Sequence, residues 1–232
     1  MNDCYLLKLS PQASQSPNEN SFIGGIPKLP KGESLPRCKL CGAEESFFFQ
    51  VAIPKGNFWE GLSLAVFACT SCADENQLIP QMLPGPLSGT DIPEGFLESY
   101  QINFRFFVFE TASAVPYEKY QERVTFKLFR LEKARDPDVD ENKIGGNPNW
   151  LLEDESPKSY GGKTPTFFLL QLLPDFRFEI SKSAPRQIEL GLDRSPQLSL
   201  LNHYELFIGN KIFLFGTEDR TKPLVYAITQ VD

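Results

Sequence analysis

The chain has 232 residues, 41% of them hydrophobic and 23% charged, enough for a buried core and too apolar for a chain that stays disordered. A formal net charge of -7 lacks the positive field that phosphates attract, so direct nucleic-acid binding is set aside, while an acidic surface suits a basic protein partner. With 20 Phe and 19 Pro against 2 Met, the composition favours aromatic strands broken by rigid turns, and the expected fold class is mainly β with antiparallel sheets.

The chain opens Met1-Asn2-Asp3-Cys4-Tyr5-Leu6-Leu7-Lys8-Leu9, which has neither the basic leader nor the apolar core of a signal peptide. No stretch approaches the roughly 20 apolar residues that span a bilayer, so the expectation is a cytoplasmic monomer without a membrane partner. Pro11, Ser14, Ser16, Pro17 and Asn18 follow without periodicity, so residues 1–20 read as a loosely ordered N-terminal arm.

From Phe22 the pattern is loop, strand, strand: Ile23-Gly24-Gly25-Ile26-Pro27, then Phe47-Phe48-Phe49-Gln50-Val51, then Leu62-Ser63-Leu64-Ala65-Val66-Phe67-Ala68. The pattern returns as Ile144-Gly145-Gly146-Asn147-Pro148, Phe167-Phe168-Leu169-Leu170-Gln171 and Lys211-Ile212-Phe213-Leu214-Phe215. Gly24 and Gly145, Pro27 and Pro148, Pro36 and Pro157, and Gln50 and Gln171 share one offset of 121 (145 − 24, 148 − 27, 157 − 36, 171 − 50). This register predicts an internal duplication: a first repeat over 21–90, central strands and an acidic connector over 91–142, and a second repeat over 143–232, the two halves packing pseudo-symmetrically. Independent Gly-Gly turns are the competing explanation.

Between the halves, Tyr100-Gln101-Ile102-Asn103-Phe104-Arg105-Phe106 and Val124-Thr125-Phe126-Lys127-Leu128 alternate in the period of half-buried strands. Residues 187–192 and 223–228 read as further strands of the second half, and no long amphipathic helix stands out.

Cys38-x-x-Cys41 and Cys69-x-x-Cys72 are two knuckles separated by 27 residues (42 to 68), each able to turn two thiolates toward one tetrahedral zinc ion. The gap is long for such a pair, but strands over 47–51 and 62–68 make it a hairpin that returns to its starting point. Four sulfurs close the coordination shell and leave no place for a reactive water, so the zinc expected here is structural. Two disulfides or four unligated thiols are the alternatives, and a reducing compartment weighs against the first. The second half contains no cysteine, and Cys4 is left over.

His203, the single histidine, has no nucleophile elbow with it and reads as a structural side chain. The Gly-Gly pairs lack the lysine and helix start of a phosphate cradle and read as architectural turns. The acidic runs 136–141 and 153–155 match no calcium loop and read as solvated. Trp59 and Trp150 are binding candidates only if exposed.

The Gly-Gly-x-Pro opening, Cys38-x-x-Cys41, Phe47-Phe-Phe-Gln50-Val-Ala-Ile-Pro54 and Leu64-Ala-Val-Phe-Ala-Cys69-x-x-Cys72 resemble the programmed cell death protein 2 family over residues 23–72. Lys143-Ile-Gly-Gly-x-Pro-x-Trp150, Phe168-Leu-Leu-Gln171-Leu and Phe207-Ile-Gly209 leading into Phe213-Leu-Phe-Gly216 are similar to the bacterial YwqG-like family. The first resemblance implies a dedicated chaperone of a newly made, basic small-subunit ribosomal protein; the second implies a protein without assigned activity, some of whose kin lie near secreted-toxin genes. The expected function is therefore a non-enzymatic, zinc-stabilised protein-binding module. The alternatives are an immunity protein that neutralises a toxin, and a hydrolase or transferase with a dispersed carboxylate site.

Overall fold

The computed structural model describes residues 3–10, 14–174 and 176–231. Its main strands are β1 (Tyr5–Ser10), β2 (Phe22–Ile23), β3 (Ser46–Ala52), β4 (Leu62–Ala68), β5 (Phe104–Glu110), β6 (Lys127–Lys133), β7 (Lys143–Ile144), β8 (Thr164–Leu172), β9 (Ile188–Leu190), β10 (Pro196–Leu198), β11 (Lys211–Thr217) and β12 (Val225–Gln230). The fold is mainly β, and the one α-helical turn among the described residues, Phe96–Ser99, spans 4 residues.

Ten of these strands follow one another through a single sheet in the order β12-β11-β8-β7-β1-β6-β2-β3-β4-β5. Every neighbouring pair along that path is antiparallel. In the β3–β4 region both faces of the sheet are covered, which is why these strands read as near-continuous apolar runs instead of alternating ones. Phe22, Phe47, Ala65 and Phe67 pack on one face with Tyr120; Phe49, Val51, Leu64 and Val66 join the main core on the other. That main core also takes in Leu170, Phe213, Leu214 and Tyr226, so it runs continuously through both ends of the sheet.

Residues 121 positions apart make the same bonds. Gln50 Oε1 accepts the Lys28 amide at 3.1 Å, and Gln171 Oε1 accepts the Asn149 amide at 3.0 Å. Gly24 donates its amide to the Phe48 carbonyl and Gly145 donates to Leu169, each 2.9 Å, where β3 and β8 both shift register. Ser21 Oγ accepts from Ala52 and Asn142 Oδ1 from Leu173, again at matched places. Gly24 and Gly145 have φ of +55° and +69°, and a Cβ would run into the Val124 carbonyl at the first and the Asp3 carbonyl at the second. Only glycine supplies that backbone without steric cost and permits that close approach.

β1 corrects the sequence reading. Tyr5–Ser10, expected in a loose arm, is a central strand paired to β6 along its whole length and to β7 at Tyr5 and Leu6. Its ladder partners lie more than a hundred residues away, so the short Leu6-Leu7-Lys8-Leu9 pattern gave little local sign of it. The rest of the expected arm is only partly described, since residues 1–2 and 11–13 lie outside the described residues.

The acidic loop over 136–141 keeps Asp136, Asp138 and Asp140 exposed, as expected, but it also partners two buried lysines. Lys143, a fully buried side chain, donates to the Pro137 and Val139 carbonyls at 3.0 and 2.7 Å, and Lys211 lies 2.6 Å from Asp140 Oδ1. Tyr100–Asn103, expected in a strand, instead closes the helical turn, and the strand starts at Phe104. The second central strand starts at Lys127, not Val124.

Candidate metal centre and the adjoining cavity

The hairpin logic of the cysteine spacing holds in three dimensions. β3 and β4 pair antiparallel from Ser46↔Ala68 to Ala52↔Ser63, so the chain leaves the first knuckle along β3 and reaches Cys69 directly after β4. In the first knuckle the Cys38 amide donates to Ala43 and the Gly42 amide returns to the Cys38 carbonyl, each 2.9 Å, while Arg37 Nη1 holds the Gly42 carbonyl. Both knuckles dock on one stretch: Lys39 donates its amide to the Ile102 carbonyl at 2.9 Å, and Cys69 to Asn103 at 2.8 Å. Ser46 Oγ and Thr70 Oγ1, 2.7 Å apart, clip the base of the hairpin to the second knuckle.

The four Sγ atoms lie within 4.8 Å of one another. Cys38 to Cys72 and Cys41 to Cys69 are each 3.7 Å, and Cys69 to Cys72 is 3.5 Å. A disulfide needs about 2.0 Å, so the four are not cross-linked. A tetrahedral ion with metal–sulfur bonds of about 2.3 Å sets sulfur–sulfur edges of about 3.8 Å, and the observed spacings fit that shell. The cluster can hold one metal ion. Cys38 and Cys69 are buried and Cys41 is exposed, so the site lies at the surface with one side toward solvent.

Electrostatics show what the cluster costs without a cation. Burial, helped by Cys38 and Cys41, pushes the Cys69 thiol up to about 12, and burial with Cys41 and Cys69 raises that of Cys72 as well. At Cys41 burial also acts upward, but the Ala43 amide and the three neighbouring thiols outweigh it and bring the thiol down. A bound dication reverses this balance by stabilising thiolates directly. The Ser71 amide, 3.3 Å from Cys69 Sγ, is a donor suited to spread the charge of a thiolate there.

His203 lies on a short strand with Nδ1 3.4 Å from Asn202 Oδ1 and Nε2 4.0 Å from Glu205 Oε1. Trp59 is fully buried and donates Nε1 to the Thr217 carbonyl at 3.1 Å, and Trp150 stacks on Phe215. Cys4 is buried beside Gly146, and burial raises its thiol. Glu153 and Glu155 both accept from Gln230 Nε2.

Two features near the cluster escaped the sequence. Glu45 is 1% exposed, its Oε2 has no hydrogen-bond partner among the described residues, and burial raises its carboxyl to about 7 despite Arg105 and Lys39. In sequence it is one of two adjacent glutamates with nothing to mark it as the inward one. A cavity of about 250 Å³ opens beside Cys69 and Cys72 and is walled on its far side by Gln187–Leu190, Glu205, Phe207 and Ile208. That wall comes from the segment separating β8 from β11, far from the knuckles in sequence.

No helix among the described residues is long and apolar enough to cross a membrane. No family model matches this chain, and neither does any curated protein.

Proposed function

We propose that Cys38, Cys41, Cys69 and Cys72 hold a structural zinc ion, and that the chain is a non-enzymatic protein-binding module with a basic, chaperone-type client. Thiolates favour zinc among the common divalent ions of the cell, and a shell filled by four of them has no open position for catalysis. In this role the metal pins the β3–β4 hairpin to the Ile102–Asn103 segment and so fixes one wall of the cavity. The repeated bonds at an offset of 121 support reading the two halves as a duplication, in which the cysteine-free half closes its β8–β11 hairpin by packing alone.

The observation that carries the binding reading is the apolar surface around the β9–β10 hairpin. Leu192, Leu198 and Leu200 are 109%, 59% and 88% exposed, on a chain whose net charge is -7. Three exposed leucines within one short stretch of chain suit a contact surface, and an acidic balance favours basic partners. Resemblance to the programmed cell death protein 2 family points to a ribosomal client.

The test is co-purification at low salt from an extract in which ribosomal proteins are being made. A basic protein recovered in near-equal amount and displaced by salt is expected. Recovery of no stoichiometric protein would sink the reading.

A further inference from the structure

The wall of the cavity contributed by β9 is an incomplete sheet edge. Gly191 donates its amide to Ser195 and Ser199 donates to Gln187, each 2.8 Å, so the bonds between β9 and β10 fall on the odd-numbered residues. Ile188 and Leu190 therefore turn their amides and carbonyls away from β10, and Pro196, which has no amide to give, sits opposite Leu190 as that pattern requires. Ile188 spends its outward amide on the Thr70 carbonyl at 2.9 Å. One step along, Leu190, which also lines the cavity, has no backbone partner on that side among the described residues.

The lining is charged with one sign. Among the described residues, Glu189 and Glu205 are its carboxylates and no Lys, Arg or His lines it. The opposite wall is the second knuckle, where a dication held by four thiolates would leave a net negative charge. The lip is strained: Phe207 and Ile208 have φ of +52° and +54°, and a β-branched residue in the left-handed region is a conformational outlier of the sort that concentrates at binding sites.

Resting on the protein-binding reading above, we propose that the free edge of β9 at Leu190 takes an extended basic segment of the partner by strand addition, with a Lys or Arg side chain entering the cavity between Glu189 and Glu205. Backbone bonds at Leu190 supply the alignment. The two carboxylates supply the preference for a cation.

The probe is a labelled nonapeptide of alternating Arg and Val, with a Glu–Val peptide as control, titrated by fluorescence anisotropy against the full, metal-loaded chain at low salt. Binding of the Arg–Val peptide alone is expected. Glu189→Lys should weaken it by about ten-fold or more, and Leu190→Pro, which removes the outward amide, by a similar factor. Glu189→Gln, a milder change at a partly exposed position, should weaken it in the same direction, which covers the case in which the other variants do not fold. Equal binding of both peptides, or Arg–Val binding unchanged in Glu189→Gln and Glu189→Lys, overturns the proposal. Co-purification separates the two readings: a partner recovered equally by the parent chain and Glu189→Lys removes this site and leaves protein binding standing, whereas no partner and no peptide binding removes both.

Discussion

Lys211 places its ammonium 2.6 Å from the Asp140 carboxylate while its own side chain is 1% exposed and that of the aspartate 55%. The lysine is thus inside the protein and its counter-charge at the rim. Removing the carboxylate strands a buried cation, whereas removing the lysine leaves an aspartate that water can solvate. Asp140→Ala should therefore cost about 1–3 kcal/mol and Lys211→Met much less, read from urea denaturation midpoints at constant slope. Equal costs would refute this asymmetry.

Metal removal should act on stability before anything else. Tag-free protein is expected to carry close to one zinc per chain by elemental analysis. Cys38→Ser and Cys69→Ser should each lose it and fall by about 4 kcal/mol, or about 8–16 °C in melting temperature. Zinc-free protein of unchanged stability would contradict the assignment.

Glu45 should give stability a pH slope of unusual sign. Its carboxyl is raised from 4.5 to about 7, so across that window the folded chain keeps a proton that the unfolded chain has lost. Stability from this group is present below about 4.5, falls as pH rises through the window, and stays lowered above 7. Glu45→Gln should flatten the slope and stabilise the protein at pH 8 by about 2 kcal/mol. Urea titrations of both proteins at pH 5 and pH 8 check it, and an identical pH dependence would be the contrary result.

The paired glycines should be equally intolerant of a methyl group. Gly24→Ala and Gly145→Ala each combine a positive φ with a carbonyl in the path of the new Cβ, and each should cost about 2 kcal/mol or more. A loss at only one of them, seen in the denaturation midpoint, would break the equivalence of the two places.

What could be read from sequence was what neighbours in sequence decide. The runs at Phe47–Val51 and Leu62–Ala68 announce buried strands, and the knuckles that bracket them follow from the hairpin those strands make. The rest is decided elsewhere in the chain. That Asp140 holds a cation depends on Lys211, 71 residues on, and whether Tyr5–Ser10 is a strand depends on Leu128–Lys133. The cavity beside Cys69 needs Gln187–Leu190 to be brought back against Thr70, which no local pattern encodes.

β1 does not lie beside β2, the next strand in the chain; it lies between β6 and β7, while β6 fills the place next to β2. Ser10 and its partner Leu128 are 118 residues apart (128 − 10), so β1 is synthesised long before its ladder can form. A ribosome must deliver the chain through Ile144 before both neighbours of β1 exist. Until then the edges of β2 and β1 stay open, and closing them is a long-range step of the kind that slows folding. The centre of the finished sheet therefore contains the first strand made, yet it cannot form until more than half of the chain has followed it.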